Sequence, residues 1–166
     1  MRAWLFAQPH ASSAGIADAN EMILRPSCRY PMFHRTRFDA LITTKPTLTV
    51  CLLDDDPSVL NATKRLLLSE GWRVETFTNP NAFLDHVKIS HPRVVVIDMF
   101  MPGLNGLEVQ RRLSEYSPAT RVIVLTANGD NAVRWTALAA GAVAFFVKPA
   151  RCDDFIASIR SASTAS

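Results

Sequence analysis

Several polar residues that could carry chemistry follow short apolar runs of the sequence. The acidic run Asp54-Asp55-Asp56 follows CLL, and Asp98 follows VVVI. Thr126 follows VIVL, and Lys148 follows AFFV. Carboxylates, a hydroxyl and an ammonium group would form a chemical site if the fold brought the ends of these runs together.

The acidic residues indicate a metal site. Neighbouring carboxylates repel one another unless a cation lies between them, and carboxylate oxygens suit Mg²⁺ far better than zinc. With such an ion, Asp98 would be a shielded carboxylate nucleophile facing a phosphoryl group. Phosphoryl transfer depends mainly on positioning and charge neutralisation, so it needs the metal and Lys148 more than it needs a base.

Most of these residues also have an ordinary structural explanation. Asp56 precedes Pro57, so a helix N-cap is a better interpretation for it than a metal ligand. The hydroxyl of Thr126 could simply bond to backbone at a strand end. Lys148 is harder to explain in this way, because an ammonium group between an aromatic run and a proline is partly desolvated and needs an anion.

From Thr47 onward, short apolar runs alternate with amphipathic segments, as repeated strand-helix units do. Most runs are apolar throughout, which is typical of parallel strands covered on both faces. The predicted strands are Leu48–Leu53, Arg73–Phe77, Val94–Ile97, Val122–Leu125 and Ala144–Val147. The predicted helices are Val59–Ser69, preceded by Asp56 as N-cap and Pro57 at the first helical position, Pro80–Ile89 behind an Asn79 cap, Leu107–Ser114, Asn131–Ala140 and Asp153–Ser161.

Five such units predict the α/β class, as a doubly wound five-stranded parallel sheet with five helices. Parallel strands joined by right-handed crossovers place binding sites at the carboxyl ends of the strands, where the strand order reverses. We therefore expect the acidic run, Asp98, Thr126 and Lys148 to lie at one rim of the sheet.

Composition bounds the domain organisation and the class of partner. With 166 residues, 48% of them hydrophobic, the chain can bury one core. Residues 1–45 show no regular period and contain three prolines, so we predict a disordered extension there and one folded domain over residues 46–166. Methionines at positions 22 and 32 also allow a start further along the chain.

The charge distribution gives no reason to expect nucleic-acid binding. Residues 1–45 hold six Lys and Arg against three Asp and Glu, and residues 46–166 hold twelve of each, so the whole net charge of +3 lies in the extension. No apolar run reaches the roughly 18 residues of a membrane span. We expect a cytoplasmic protein without a membrane contact.

The cysteines and histidines show no pattern of metal ligands along the sequence. Cys28, Cys51 and Cys152 include no CxxC pair, and none of the four histidines has ligand spacing, so the sequence predicts no zinc site. Cys51 lies within an apolar run and is interpreted as a small core residue.

Four motifs, CLLDDDPSVL, VVVIDMFMPGLNG, VIVLTANGD and GAVAFFVKPA, occur in this order. Together they resemble the receiver domain of bacterial two-component response regulators, and in particular the branch usually joined to helix-turn-helix output domains. The resemblance covers roughly residues 47–163. It implies a flavodoxin-like, receiver-type fold.

The resemblance also implies roles for the acidic residues. Asp98 would accept a phosphoryl group from a phosphohistidine on a sensor histidine kinase or a phosphotransfer protein. Asp54 and Asp55 would hold Mg²⁺, with Asp98 and the backbone carbonyl of Phe100 as the remaining protein ligands. Lys148 would bind the phosphoryl oxygens.

A conformational switch is implied in the same way. The hydroxyl of Thr126 would bind the new phosphoryl group and move inward, and Phe145, at the family's aromatic switch position, would turn into the vacated space. The faces of the last two helices would then bind a downstream protein target or a second copy of the chain.

Three interpretations of the whole protein remain open. The sequence ends at Ser166, directly after the last predicted helix, which favours a stand-alone receiver with at most slow self-dephosphorylation and no other enzymatic activity. The alternative is the N-terminal fragment of a DNA-binding transcription regulator that lacks its output domain. A magnesium-dependent phosphohydrolase is disfavoured, because such enzymes need a second acid two residues after the nucleophile, where this chain has Phe100.

Overall fold

The structure, a computed structural model, describes residues 48–164 of the chain. Within that range no helix combines the length and the apolar character that crossing a membrane requires. The segment predicted to be a disordered extension, residues 1–45, lies outside the described residues, so that prediction stays a prediction.

Five parallel strands form a single sheet. They are β1 (Thr49–Leu53), β2 (Arg73–Phe77), β3 (Val94–Ile97), β4 (Arg121–Thr126) and β5 (Ala142–Val147). The strand order is β2-β1-β3-β4-β5. The interior strands β1, β3 and β4 are buried along nearly their whole length, whereas β2 lies at an edge and is half exposed. The predicted fold class is confirmed.

Five helices alternate with the strands in residues 48–164; four of them connect consecutive strands and the fifth follows β5. They are α1 (Pro57–Ser69), α2 (Pro80–Ser90), α3 (Gly106–Tyr116), α4 (Asn131–Ala139) and α5 (Cys152–Thr164). The predicted N-caps are confirmed, since Oδ1 of Asp56 accepts a hydrogen bond from the Ser58 amide at 2.8 Å and Oδ1 of Asn79 accepts one from the Asn81 amide at 2.9 Å.

The helix ends differ from the predicted ones by up to three residues. The helix α1 begins at Pro57 directly after its Asp56 cap, as predicted. Asn105 caps α3, so this helix begins one residue earlier than predicted. The helix α5 continues three residues further, to Thr164, because Ala162 and Ser163 still face the core.

The two faces of the sheet carry separate cores, as expected of a doubly wound fold. On β1, Val50 and Leu52 pack with residues of α1 and α5, whereas Cys51 and Leu53 pack with residues of α2, α3 and α4. Because apolar helices cover both faces, polar side chains from the strand ends emerge at the rim.

The hydrogen-bond ladders continue one residue past the strands at that rim. The Asp98 amide donates to the Leu53 carbonyl at 2.9 Å, and the Lys148 amide donates to the Thr126 carbonyl at 2.8 Å. The chain leaves β1 for β2 on one side and returns to β3 on the other, so the strand order reverses between β1 and β3. The backbone of Asp98 is therefore fixed at the point where the strand order reverses.

The packing of α5 depends on Phe155, which is fully buried and contacts the Phe146 ring edge to face at 5.5 Å between centroids. We expect Phe155→Ala to lower the free energy of unfolding by roughly 3 to 5 kcal/mol, because it leaves a cavity under the helix. Urea denaturation measures this, with the exposed Ser161→Ala as a control that should change stability by less than about 0.5 kcal/mol. Equal losses in the two variants would contradict this packing.

Candidate functional site

The ammonium group of Lys148 lies between two buried carboxylates. Its Nζ is 2.5 Å from Oδ2 of Asp54 and 3.2 Å from Oδ2 of Asp98. All three side chains are about nine-tenths buried. One positive charge faces two negative ones where little water screens them, so the attraction is stronger than at the surface and the site keeps an excess of negative charge.

The two oxygens of Asp98 have different surroundings. Oδ1 accepts hydrogen bonds from the Met99 amide at 2.6 Å and the Phe100 amide at 3.3 Å, whereas Oδ2 faces Lys148. Backbone amides of the following loop therefore fix the orientation of this carboxylate. The side chain of Phe100 itself points outward and is about half exposed.

Asp55 completes an acidic cluster at this rim. One carboxylate oxygen from each of Asp54, Asp55 and Asp98 lies within 4.8 Å of the other two. Asp54 and Asp98 are buried and Asp55 is exposed, so the cluster opens toward solvent on one side. Three carboxylate oxygen donors, one of them on the solvent side, are a set that fits Mg²⁺. Asp56, in contrast, is occupied as the N-cap of α1.

Burial dominates the ionisation of Asp54. Desolvation raises the pKa of this carboxyl above its ordinary value, and the charge of Asp98 raises it further. The hydrogen bond and charge of Lys148 and the amide of Asp56 act in the opposite direction without cancelling the effect of burial. An ionised Asp54 therefore costs folding free energy, which a bound cation would offset.

Thr126 lies at the rim outside the Lys148 network. Its side chain is fully buried, and its Oγ1 accepts a long hydrogen bond of 3.4 Å from the Asn128 amide. Among the described residues, the structure shows no hydrogen bond between this hydroxyl and Asp98 or Lys148. The backbone carbonyl of Thr126 instead anchors the Lys148 amide.

The ring of Phe145 is turned inward, with 6% of the residue exposed, and belongs to the core beneath α4. Arg134 of α4 covers it, with the guanidinium carbon 4.9 Å from the ring centroid and Nη2 donating to the Phe145 carbonyl at 3.4 Å. No motif in the sequence pointed to this arginine.

Comparison with known proteins adds to this geometry. Residues 50–160 match the model of the response regulator receiver domain. This chain belongs to the response regulator receiver domain family. The four motifs had indicated that family, and the match includes all the predicted site residues.

Full-length relatives are about twice as long as the matching segment. The receiver is 38% identical over 113 residues to the response regulator protein TodT of Pseudomonas putida, which covers 68% of this chain and 50% of TodT. It is 35% identical over 121 residues to the transcriptional regulatory protein FixJ of Bradyrhizobium diazoefficiens, which covers 73% of this chain and 58% of FixJ. The chain thus spans only about half the length of these relatives.

A solved structure has the same architecture. The receiver superimposes on a response regulator receiver domain protein from Clostridium thermocellum with a TM-score of 0.66 and 29% identity, over 69% of this chain and 93% of the other. The five-stranded parallel sheet is therefore that of known receivers.

Gly106 is a site-supporting residue that the sequence analysis did not identify. A Cβ atom at this position would lie 2.3 Å from the Asp98 carbonyl oxygen and 2.7 Å from the Met99 Cα. The first turn of α3 therefore approaches the backbone of Asp98 so closely that only glycine fits. The Asn-Gly pair in the sequence signals a turn, but the close approach depends on tertiary structure.

If Asp98 is the phospho-acceptor that the resemblance implies, Gly106→Ala should displace its backbone and reduce phosphorylation by small phosphodonors at least about tenfold, because reactive groups must be placed to within roughly an ångström. The matched control is Gly103→Ala. Gly103 has φ +84° but no atom within 4 Å of a new Cβ, so this variant should lose about 1 kcal/mol of stability and keep most of its phosphorylation. Equal phosphorylation in the two variants would contradict the close approach.

Asp54→Asn is expected to stabilise the receiver at pH 7 when no divalent cation is present, by on the order of 1 kcal/mol. A raised pKa means that the folded state binds the Asp54 proton more tightly than the unfolded state, so stability falls as pH rises from 3.8 through the raised pKa. The gain from Asp54→Asn should therefore be full above that window and vanish below 3.8.

Denaturation across pH measures this effect, and the exposed Asp55→Asn is the matched control with little expected change. Mg²⁺ should stabilise the unmodified chain more than it stabilises Asp54→Asn. A loss of stability in Asp54→Asn at pH 7 without cations would show that burial is not the dominant influence on this carboxyl.

Proposed function

We propose that this chain is a phospho-accepting receiver of a two-component phosphorelay and that Asp98 is the acceptor. The observation that carries the proposal is the environment of Asp98, with one oxygen held by two backbone amides and the other facing the Lys148 ammonium. Response regulators receive their signal from histidine kinases, so the donor would be a phosphohistidine of a sensor histidine kinase or a phosphotransfer protein.

The proposed reaction is an in-line transfer. An oxygen of Asp98 forms a bond to phosphorus while the phosphorus-nitrogen bond of the donor breaks, and the donor histidine returns to its unmodified state. Lys148 would contact a phosphoryl oxygen, since its ammonium group already lies against the acceptor. The Thr126 hydroxyl would bind another oxygen after a small inward movement from its present position.

Mg²⁺ fits the same site. Asp54, Asp55 and Asp98 would hold the ion together with the backbone carbonyl of Phe100. Its contribution would be to neutralise charge on the carboxylates and on the phosphoryl oxygens. The excess negative charge around Lys148 and the raised pKa of Asp54 support this requirement for a cation.

The switch would act on the helices beyond the site. Phe145 is already inside in this structure, so we propose that phosphorylation stabilises this inward ring position over an outward one, through Thr126. The surface of α4, β5 and α5 would respond, and it exposes apolar side chains that a partner could cover: Trp135, Leu138, Val143 and Val147.

The downstream partner would be a protein. We propose that a target protein or a second copy of the chain binds the α4-β5-α5 surface. We propose no nucleic-acid contact for the receiver domain. This domain would comprise residues 46–166, and the protein would be cytoplasmic. Because the matched segment covers only 50% of TodT and 58% of FixJ, the alternative is that this receiver forms the N-terminal part of a DNA-binding transcription regulator. In either case we expect no enzymatic activity beyond slow self-dephosphorylation.

The direct test is the intact mass of the protein after incubation with acetyl phosphate, with and without Mg²⁺. We expect a gain of one phosphoryl group that requires Mg²⁺ and is absent from Asp98→Asn. A folded protein that gains no phosphoryl group, or an Asp98→Asn variant that gains one, would overturn the proposal.

A further inference from the structure

A second group of candidate metal ligands lies between the edge strand and α2. One ligand atom from each of Cys51 on β1, Glu75 on β2 and His86 on α2 lies within 4.8 Å of the other two. Cys51 and Glu75 are register partners in the paired strands, so their side chains share the sheet face that α2 covers. Nε2 of His86 is 3.0 Å from Oε2 of Glu75.

This group is separate from the acidic cluster of Asp54, Asp55 and Asp98. Cys51 precedes Asp54 by three residues along an extended strand, which places their backbones roughly 10 Å apart. The cluster also differs in chemistry, because it combines sulfur, nitrogen and oxygen, whereas the rim offers oxygen alone.

We propose that Cys51, Glu75 and His86 bind one Zn²⁺ ion. A thiolate, an imidazole and a carboxylate are the ligands that zinc takes in proteins, and this mixed set does not suit Mg²⁺. Three protein ligands leave the fourth tetrahedral position for a water molecule on the exposed side.

The observed spacing is close to what zinc requires. Bond lengths near 2.0 to 2.3 Å place the ligand atoms of a tetrahedral site roughly 3.3 to 3.6 Å apart. Since no separation exceeds 4.8 Å, rotamer adjustments of about an ångström would close the site.

Neighbouring residues hold the ligands in place. Cys51 is completely buried, whereas the side chains of His86 and Glu75 are about one-quarter and one-half exposed, so the ion would enter from their side. The His86 ring packs on Phe77 with the centroids 5.1 Å apart, which restricts the orientation of the imidazole.

The charges balance on binding. Burial and the neighbouring Glu75 raise the pKa of the Cys51 thiol to about 12, so the thiol keeps its proton when no metal is bound. Zn²⁺ would replace that proton, which passes to the solvent, and the two positive charges of the ion would meet one thiolate and one carboxylate. The bound site is neutral, and its affinity should fall as the pH is lowered.

Spectroscopy with Co²⁺ as a substitute for Zn²⁺ tests the site on the full chain, with Mg²⁺ present to compete at the acidic rim. We expect one equivalent of Co²⁺ to produce tetrahedral visible bands and a thiolate-to-cobalt charge-transfer band, and Zn²⁺ to remove both. His86→Gln and Glu75→Gln should each weaken Co²⁺ binding roughly tenfold or more.

Two variants assign the signal. Cys51→Ala should lack the charge-transfer band, and Asp98→Asn, which alters the rim, should keep it. A missing band in the unmodified chain, a band that survives Cys51→Ala, or full affinity in both His86→Gln and Glu75→Gln would overturn the proposal. If Cys51→Ala does not fold, the Co²⁺ affinities of His86→Gln and Glu75→Gln decide whether the zinc site exists. None of these measurements depends on phosphorylation of Asp98.

Discussion

The contact of Lys148 with Asp54 and Asp98 is the interaction on which the rest of the site depends. Each carboxylate is buried, and an unpaired charge in such a position costs several kcal/mol. A hydrogen bond to the Thr126 carbonyl fixes the Lys148 backbone at the end of β5, and the side chain contacts the carboxylates that follow β1 and β3. The strand order therefore decides whether these charges meet.

The site is assembled at a cost to stability. The sheet buries its strands on both faces, and it holds ionisable groups at the one rim where the strand order reverses. The raised pKa of Asp54 shows that Lys148 does not fully compensate for burial. Such an imbalance suits the proposed cation site, because a bound cation would supply the missing compensation.

Local sequence signals predicted the elements well and the contacts between them less well. The strands β2 and β3 and the caps at Asp56 and Asn79 follow from apolar runs and capping residues, which act within a few positions along the chain. The strand-end rule also predicted that Asp98 and Lys148 meet.

Other features depend on the distance between elements remote in sequence, so no local pattern could reveal them. The close approach of Gly106 to Asp98 and the position of Arg134 over Phe145 belong to this group, as does the Cys51 cluster. Thr126 is a further example. Its position at the rim could be predicted from the sequence, but the absence of a hydrogen bond between its hydroxyl and Lys148 could not.

The proposal that Asp98 is the phospho-acceptor is tested most directly by a crystal structure of the protein with Mg²⁺ and beryllium fluoride. Beryllium fluoride mimics a phosphoryl group on a carboxylate. We predict beryllium fluoride bonded to Asp98, with Mg²⁺ against the acidic cluster and the Lys148 ammonium moved from Asp54 onto a fluorine atom. An unmodified Asp98 with Lys148 still bridging both carboxylates, in crystals grown with an excess of both ligands, would contradict the assignment.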